Sequence, residues 1–187
     1  MNKALTERIF YTVDPGLPPI FLSEMVDSVK KLTRESGIVT SGDGSPRVIK
    51  EVRNSLVHFI PWDSWIAGIL HNIFVSANKD FFHYDLDHFE SGIQCTYYTE
   101  GQFYDWHTDG VGNLKTNFER KLSLSFLLTD DYEGGELEFE LKPFHEILQI
   151  KAGTAVIFPS WLPHRVKPVT SGERISLVAW MNGPKFK

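Results

Sequence analysis

The sequence predicts an α+β fold that is mainly β: an antiparallel sandwich or jelly roll, with N-terminal helices packed on one sheet. Three observations lead there. From about residue 91 the chain breaks into short β-rich runs at regular spacing, and turn residues separate many of them. One run, "KLSLSFLL", alternates Leu122, Leu124 and Phe126 with Ser123 and Ser125, so one face is apolar and the other polar enough to line a cavity. Before residue 90, two segments instead repeat apolar residues at helical spacing.

Taken in order, the first helix is expected from about residue 20 to 33, where Phe21, Leu22, Met25, Val26, Val29 and Leu32 recur on one face. A loop follows in "SGIVTSGDGSPR", residues 36–47. The second helix starts behind Pro61 and Asp63. It carries a stripe of Trp62, Trp65, Ile66, Ile69, Leu70, Ile73, Phe74 and Ala77, read as core packing. The strands are then "IQCTYY", "KLSLSFLLT", "GELEFEL", "EILQI", "GTAVIFP", "HRVKPV" and "RISLVAWM", with turns at Glu133-Gly134-Gly135, Lys151-Ala152-Gly153 and Ser171-Gly172. The helices are expected to cover one sheet from outside.

The chain of 187 residues fits one domain, 1–187, divided into about 1–90 for helical support and flanking strands and about 91–181 for the β core. A net charge of -5 without a Lys/Arg cluster disfavours nucleic acid. The single cysteine, Cys95, excludes an internal disulfide framework and reads as a buried small apolar residue. Neither a membrane span nor a secretion signal is recognisable, which makes a cytoplasmic location the expectation. No sequence signal reports on oligomeric state.

Chemistry concentrates in "YDWHTDG", residues 104–110. In a strand, residues i and i+2 share a face, so His107 and Asp109 would converge on one spot, with Gly110 letting the chain turn away afterwards. His164, behind Pro163 at the start of a late strand, is a third ligand candidate. Two histidines and one carboxylate form the facial triad of non-heme Fe(II) oxygenases, which leaves positions open for a bidentate cosubstrate and dioxygen. Ten residues later, Arg174 and Ser176 share a strand face, and a guanidinium fork beside a hydroxyl suits a carboxylate. A second His-x-Asp, His83-Tyr84-Asp85, reads as a turn or strand edge, and His145 is a weaker rival for the third ligand. Trp161 and Trp180 read as structural residues that could border the pocket.

The pattern Tyr98-x-x-Gly101-x-x-Tyr104-x-x-His107-x-Asp109, then His164, then Arg174-x-Ser176, resembles the 2-oxoglutarate/Fe(II)-dependent dioxygenases, in particular the prolyl 4-hydroxylase-like branch. "GGELEFE" and "GTAVIFPSWLPHRVKPVTSGERISLVAW" resemble it too, so the similarity spans roughly 91–181, and "EVRNSLVHF" is a looser match. The resemblance implies a double-stranded β-helix core in which His107, Asp109 and His164 bind Fe(II) and Arg174 clamps the distal carboxylate of 2-oxoglutarate. Tyr98 and Ser176 would help to hold that cosubstrate, with Tyr97 facing away. It implies a dioxygenase that uses O2, with ascorbate as an optional reductant, to hydroxylate an unactivated C–H bond and release succinate and CO2. The substrate implied first is a prolyl residue in a peptide or protein. A free amino acid or other small molecule is the alternative within the chemistry, and a non-catalytic or cupin-like metal-binding jelly-roll module is the alternative outside it. Collagen-type animal enzymes often carry lysine where this chain has Arg174, which places it nearer the bacterial, phage and oxygen-sensing members. Nucleobase demethylases usually add an arginine where Trp180 stands here. Residues 41–47 and 108–121 are the expected lids.

Overall fold

The computed structural model describes residues 9–40, 45–110 and 117–185. Parts of both expected lids, residues 41–44 and 111–116, lie outside the described residues.

Two antiparallel sheets face each other. The larger has eight strands, running Tyr11–Val13, Ala155–Pro159, Phe118–Leu127, Arg174–Pro184, Gly92–Tyr98, Leu56–Pro61 and Glu35–Ser36 in spatial order, with His88–Phe89 paired to Arg174–Pro184. The smaller has five, Phe144–Leu148, Leu137–Leu141, His164–Val166, Phe103–His107 and Arg53–Asn54. Neighbours in space come from distant parts of the chain, as the jelly roll predicts.

The period-two pattern divides the strands of the large sheet between two environments. On one face Cys95, Tyr97, Leu122, Leu124, Phe126, Ile157, Leu177 and Ala179 pack against the helices. The other face turns Tyr98, Val156 and Phe158 toward Phe139 and Val166 of the small sheet. The helices are α1, Pro19–Lys30, and α2, Trp65–Ala77, and both cover the large sheet from outside as expected. Tyr97 is the tie between layers: its hydroxyl donates to the Val29 carbonyl of α1 at 2.6 Å, which turns it away from the inner face. Leu124 is fully buried between α2 and the sheet. Its replacement by alanine is expected to destabilise the protein by about 2–5 kcal/mol in urea unfolding, through lost transfer energy and the cavity left behind.

The second helix departs from its sequence reading at the start. Ser64 is the N-cap, its hydroxyl accepting from the Ala67 amide, so helix begins after Asp63. Trp62 is therefore not helical and stays 64% exposed, while Trp65 in the first turn is 46% exposed. Only from Ile66 onward does the stripe reach the sheet, with Ile66, Leu70, Ile73, Phe74 and Ala77 buried. Helix periodicity is the same whether or not a sheet lies beneath it.

Candidate metal centre and cosubstrate pocket

The inner faces enclose an open-sided cavity of about 450 Å³. Strand pairing brings two of the predicted ligands together, because His164 and His107 are register partners on adjacent strands of the small sheet. Asp109 completes the cluster, and ligand atoms of the three residues all lie within 4.8 Å of one another. The His107 Nε2 to Asp109 Oδ1 and His164 Nε2 to Asp109 Oδ2 distances are both 3.7 Å.

Each histidine is oriented by its other nitrogen. His107 Nδ1 donates to the Asp105 carbonyl at 2.7 Å and His164 Nδ1 to the Leu162 carbonyl at 2.9 Å, which leaves both Nε2 lone pairs facing the common point. Tyr104 lies flat on His107, with ring centroids 3.5 Å apart, and Arg53 covers the other side of Tyr104. Burial and the neighbouring His164 push the His107 imidazole well below its ordinary value, so it is a neutral ligand at neutral pH. Burial opposes ionisation of Asp109. The two histidines, with the Trp180 indole and the Ser123 hydroxyl beside the carboxyl, outweigh burial and hold it below its ordinary range, although the indole N–H makes no well-formed hydrogen bond.

These shifts have the same sign for stability. The unfolded chain binds a proton at His107 near pH 6.5 that the folded chain refuses, so metal-free protein loses stability as pH falls from there. Asp109 adds a further loss near and below pH 4, as the unfolded carboxyl takes up a proton before the folded one. A thermal melting series in chelator is expected to show the decline, with the His107→Gln variant flatter between pH 6.5 and 5.

Asp109 is not where strand alternation would place it. The strand Phe103–His107 ends at the histidine, and Asp109 sits in a bend two residues later. Backbone hydrogen bonds fix it there instead, from the Asp109 and Gly110 amides to the Ser160 carbonyl at 2.9 and 2.8 Å. Gly110 does not adopt a left-handed turn conformation. A β-carbon there would stand 3.3 Å from the Ser160 carbonyl carbon and oxygen, so it is close approach that favours glycine.

Arg174 lies deeper, 1% exposed, and donates through Nη1 to the Ser176 hydroxyl at 2.9 Å, as their shared strand face predicts. Its Nε has no hydrogen-bond partner, and among the described residues no carboxylate pairs with it. A buried cation in this condition is costly unless an anion arrives from outside. Tyr98 is its register partner on the adjacent strand, with the ring 5.6 Å from the guanidinium carbon, and burial keeps the phenol protonated. Gly135, in a left-handed conformation, makes room: a β-carbon there would approach Arg174 Cδ to 3.0 Å.

The rival residues fall elsewhere. His145 bonds to the buried Glu138 at 3.1 Å, away from the cluster, and His83 adopts a left-handed conformation after α2 and its π-helical extension. Trp180 does border the cavity, with Arg120 stacked 3.8 Å above its ring and held there by two bonds to Glu90. Trp161 is half exposed. Arg53 is a residue that the sequence reading passed over. It is 5% exposed, lines the cavity, and has one nitrogen, Nη2, without a partner. Its strand, Arg53–Asn54, is too short to show a period.

With this geometry in place, the sequence model of the 2OG-Fe(II) oxygenase superfamily matches residues 93–182, which include all three clustered ligands and Arg174. That match spans just under half of the chain, and over it the chain resembles the 2OG-Fe(II) oxygenase superfamily. Among curated relatives, a PKHD-type hydroxylase of Hyphomonas neptunium is 41% identical over 93 residues, covering 48% of this chain and 41% of that protein. Another, of Alteromonas mediterranea, is 36% identical over 90 residues, covering 45% and 40%. The matched region is thus about two fifths of those relatives' length. The fold extends further. A Pseudomonas putida prolyl-4-hydroxylase superposes with a TM-score of 0.70 at 18% identity, covering 97% of this chain and 96% of its own. A prolyl hydroxylase of Trichoplax adhaerens, solved with a hypoxia inducible factor peptide fragment, superposes with a TM-score of 0.73 at 15% identity, covering 95% and 84%. The chain therefore shares the architecture of prolyl hydroxylases. Among its described residues no helix is long and apolar enough to cross a membrane.

Proposed function

We propose that this protein is an Fe(II)- and 2-oxoglutarate-dependent hydroxylase acting on a prolyl residue of a peptide or protein, with release of succinate and CO2. The observation that carries the chemistry is the convergence of His107, Asp109 and His164 beside a buried arginine without a carboxylate. The donor set fits iron: two neutral imidazoles with free lone pairs and one carboxylate. When bound, iron with the keto acid and O2 supplies the oxidising power for attack on an unactivated C–H bond.

The chain's own residues do the rest. Arg174 and Ser176 would bind the distal carboxylate of 2-oxoglutarate at the closed end, with the Tyr98 phenol as a further donor. The cosubstrate would thereby reach from this end of the cavity to the triad. Tyr104, pushed up to about 12 by burial, stays a phenol and shields one face of His107 from water. Toward the opening, Ile38, Val39, Ile49, Val52 and Phe59 form an apolar wall suited to a pyrrolidine ring and its neighbours. Arg53, which also lines the cavity, keeps Nη2 buried and unpartnered, and this donor would serve a substrate main-chain carbonyl brought in against it. The likeness in fold to a prolyl hydroxylase solved with a peptide supports this substrate class over a free amino acid.

The test is incubation with Fe(II), 2-oxoglutarate and a proline-containing peptide library, read by mass spectrometry for addition of one oxygen atom. Oxidation of free amino acids but of no peptide would overturn the peptide reading. Absence of an anaerobic Fe(II)/2-oxoglutarate charge-transfer band would overturn the cosubstrate reading. Arg53→Met is expected to raise the peptide KM roughly 10-fold, the worth of one hydrogen bond to a charged donor. The KM for 2-oxoglutarate should not move.

A further inference from the structure

Asp109 lies beyond the end of its strand, in a bend that backbone alternation does not orient, and yet its carboxylate must be aimed as well as either histidine. Two serines surround it. Ser123, on the cavity face of the strand Phe118–Leu127, donates from Oγ to Asp109 Oδ2 at 2.7 Å. Ser160, just after the strand Ala155–Pro159, shares a 2.9 Å hydrogen bond with the Ser123 hydroxyl. Both are fully buried. Ser123 is register partner to Phe158 on one side and Trp180 on the other, so a small hydroxyl stands where aromatic neighbours would accept an apolar side chain.

We propose that Ser123 and Ser160 are positioning residues that fix Asp109 as a one-oxygen ligand. This rests on the reading that the triad holds iron. With Ser160 donating to Ser123 and Ser123 to Oδ2, the chain of hydroxyls runs in one direction, and each bond polarises the next. The Ser123 hydroxyl occupies Oδ2, so among the described residues Oδ1 is the oxygen without a side-chain hydrogen bond. Ser160 acts twice, since its carbonyl also accepts from the Asp109 and Gly110 amides. Ser160 thus holds the ligand's main chain directly and its side chain through Ser123. The consequence for an oxygenase is specific. A carboxylate free to rotate could offer both oxygens and occupy a position that the keto acid or O2 requires. Held by Ser123, it would offer a single oxygen to iron and leave room for the keto acid and O2.

The test is Fe(II) affinity by anaerobic titration calorimetry on metal-stripped protein without 2-oxoglutarate, for the parent, Ser123→Ala, Ser160→Ala, the double variant and Ser123→Thr. Outer partners of metal ligands are worth roughly 10- to 100-fold in affinity, so Ser123→Ala is expected to lose that much. Ser160→Ala should lose less, because Ser123 still donates to Asp109. The double variant should match Ser123→Ala, since Ser160 acts through Ser123; additive losses would mean two independent packing effects and would overturn the relay. Ser123→Thr, which keeps the hydroxyl, should retain most of the affinity. Melting temperatures of the metal-free variants separate lost folding from lost aim. If the parent binds Fe(II) and every variant binds it equally, the positioning role is wrong while the metal site stands. If the parent itself does not bind Fe(II), the iron reading fails and the proposal falls with it.

Discussion

Asp109→Ala is expected to abolish both Fe(II) retention and hydroxylation while leaving the fold intact. The loss should exceed the roughly 10- to 100-fold that removal of an outer partner costs a metal site. The carboxylate is the anionic member of the cluster, and without it two neutral imidazoles face a dication with no charge to offset. The fold should survive because neither Oδ1 nor Oδ2 supports the core: one accepts from Ser123, and the bend is held by backbone bonds to Ser160 that alanine keeps. Circular dichroism and melting of the metal-free variant against the parent, beside an iron titration, check both halves. An alanine variant that binds iron as tightly as the parent would mean that other residues complete the centre.

The second large effect is at Arg174, and its two parts have opposite sign. Arg174→Met removes the guanidinium that would pair with the distal carboxylate of 2-oxoglutarate, at roughly 1.5–3 kcal/mol for each charge-assisted bond. A two-bond contact would then raise the apparent KM for 2-oxoglutarate by about 10²-fold or more. Stability of the protein without cosubstrate should not fall, and is expected to rise. A fully buried cation with an unpartnered Nε and, among the described residues, no carboxylate partner is a cost that methionine of similar length removes. Saturating 2-oxoglutarate should raise the parent's melting temperature and leave the variant's unchanged. A variant that melts lower than the parent without cosubstrate would indicate that an internal partner already satisfies Arg174.

Sequence alone reveals these two residues to different degrees. Arg174 and Ser176 are legible because they lie inside a regular strand, where alternation puts both on the polar face, and the structure bonds them to each other. The same rule separates Ser123 and Ser125 from Leu122, Leu124 and Phe126, and Tyr98 from Tyr97. Asp109 is legible as a residue type at the right spacing, while its placement is not, because the bend depends on a carbonyl 51 positions later in the chain. Ser160 gives no signal in sequence for the same reason. Arg53 is hidden in a two-residue edge strand that gains its meaning from pairing with Phe103 and Tyr104. Trp62 and Trp65 fail in the other direction, as members of a helical stripe that extends past the edge of the sheet it would cover.

The strand Phe118–Leu127 carries the core on one face and the Asp109 support on the other, alternating residue by residue. A scan of every substitution along it would find nearly all positions intolerant, and a single growth score would not distinguish them. Scored separately, cellular abundance and turnover per folded molecule should oscillate out of phase with a period of two. Abundance should drop at Leu122, Leu124 and Phe126, and turnover at Ser123, so that two kinds of failure interleave along one short ribbon of chain.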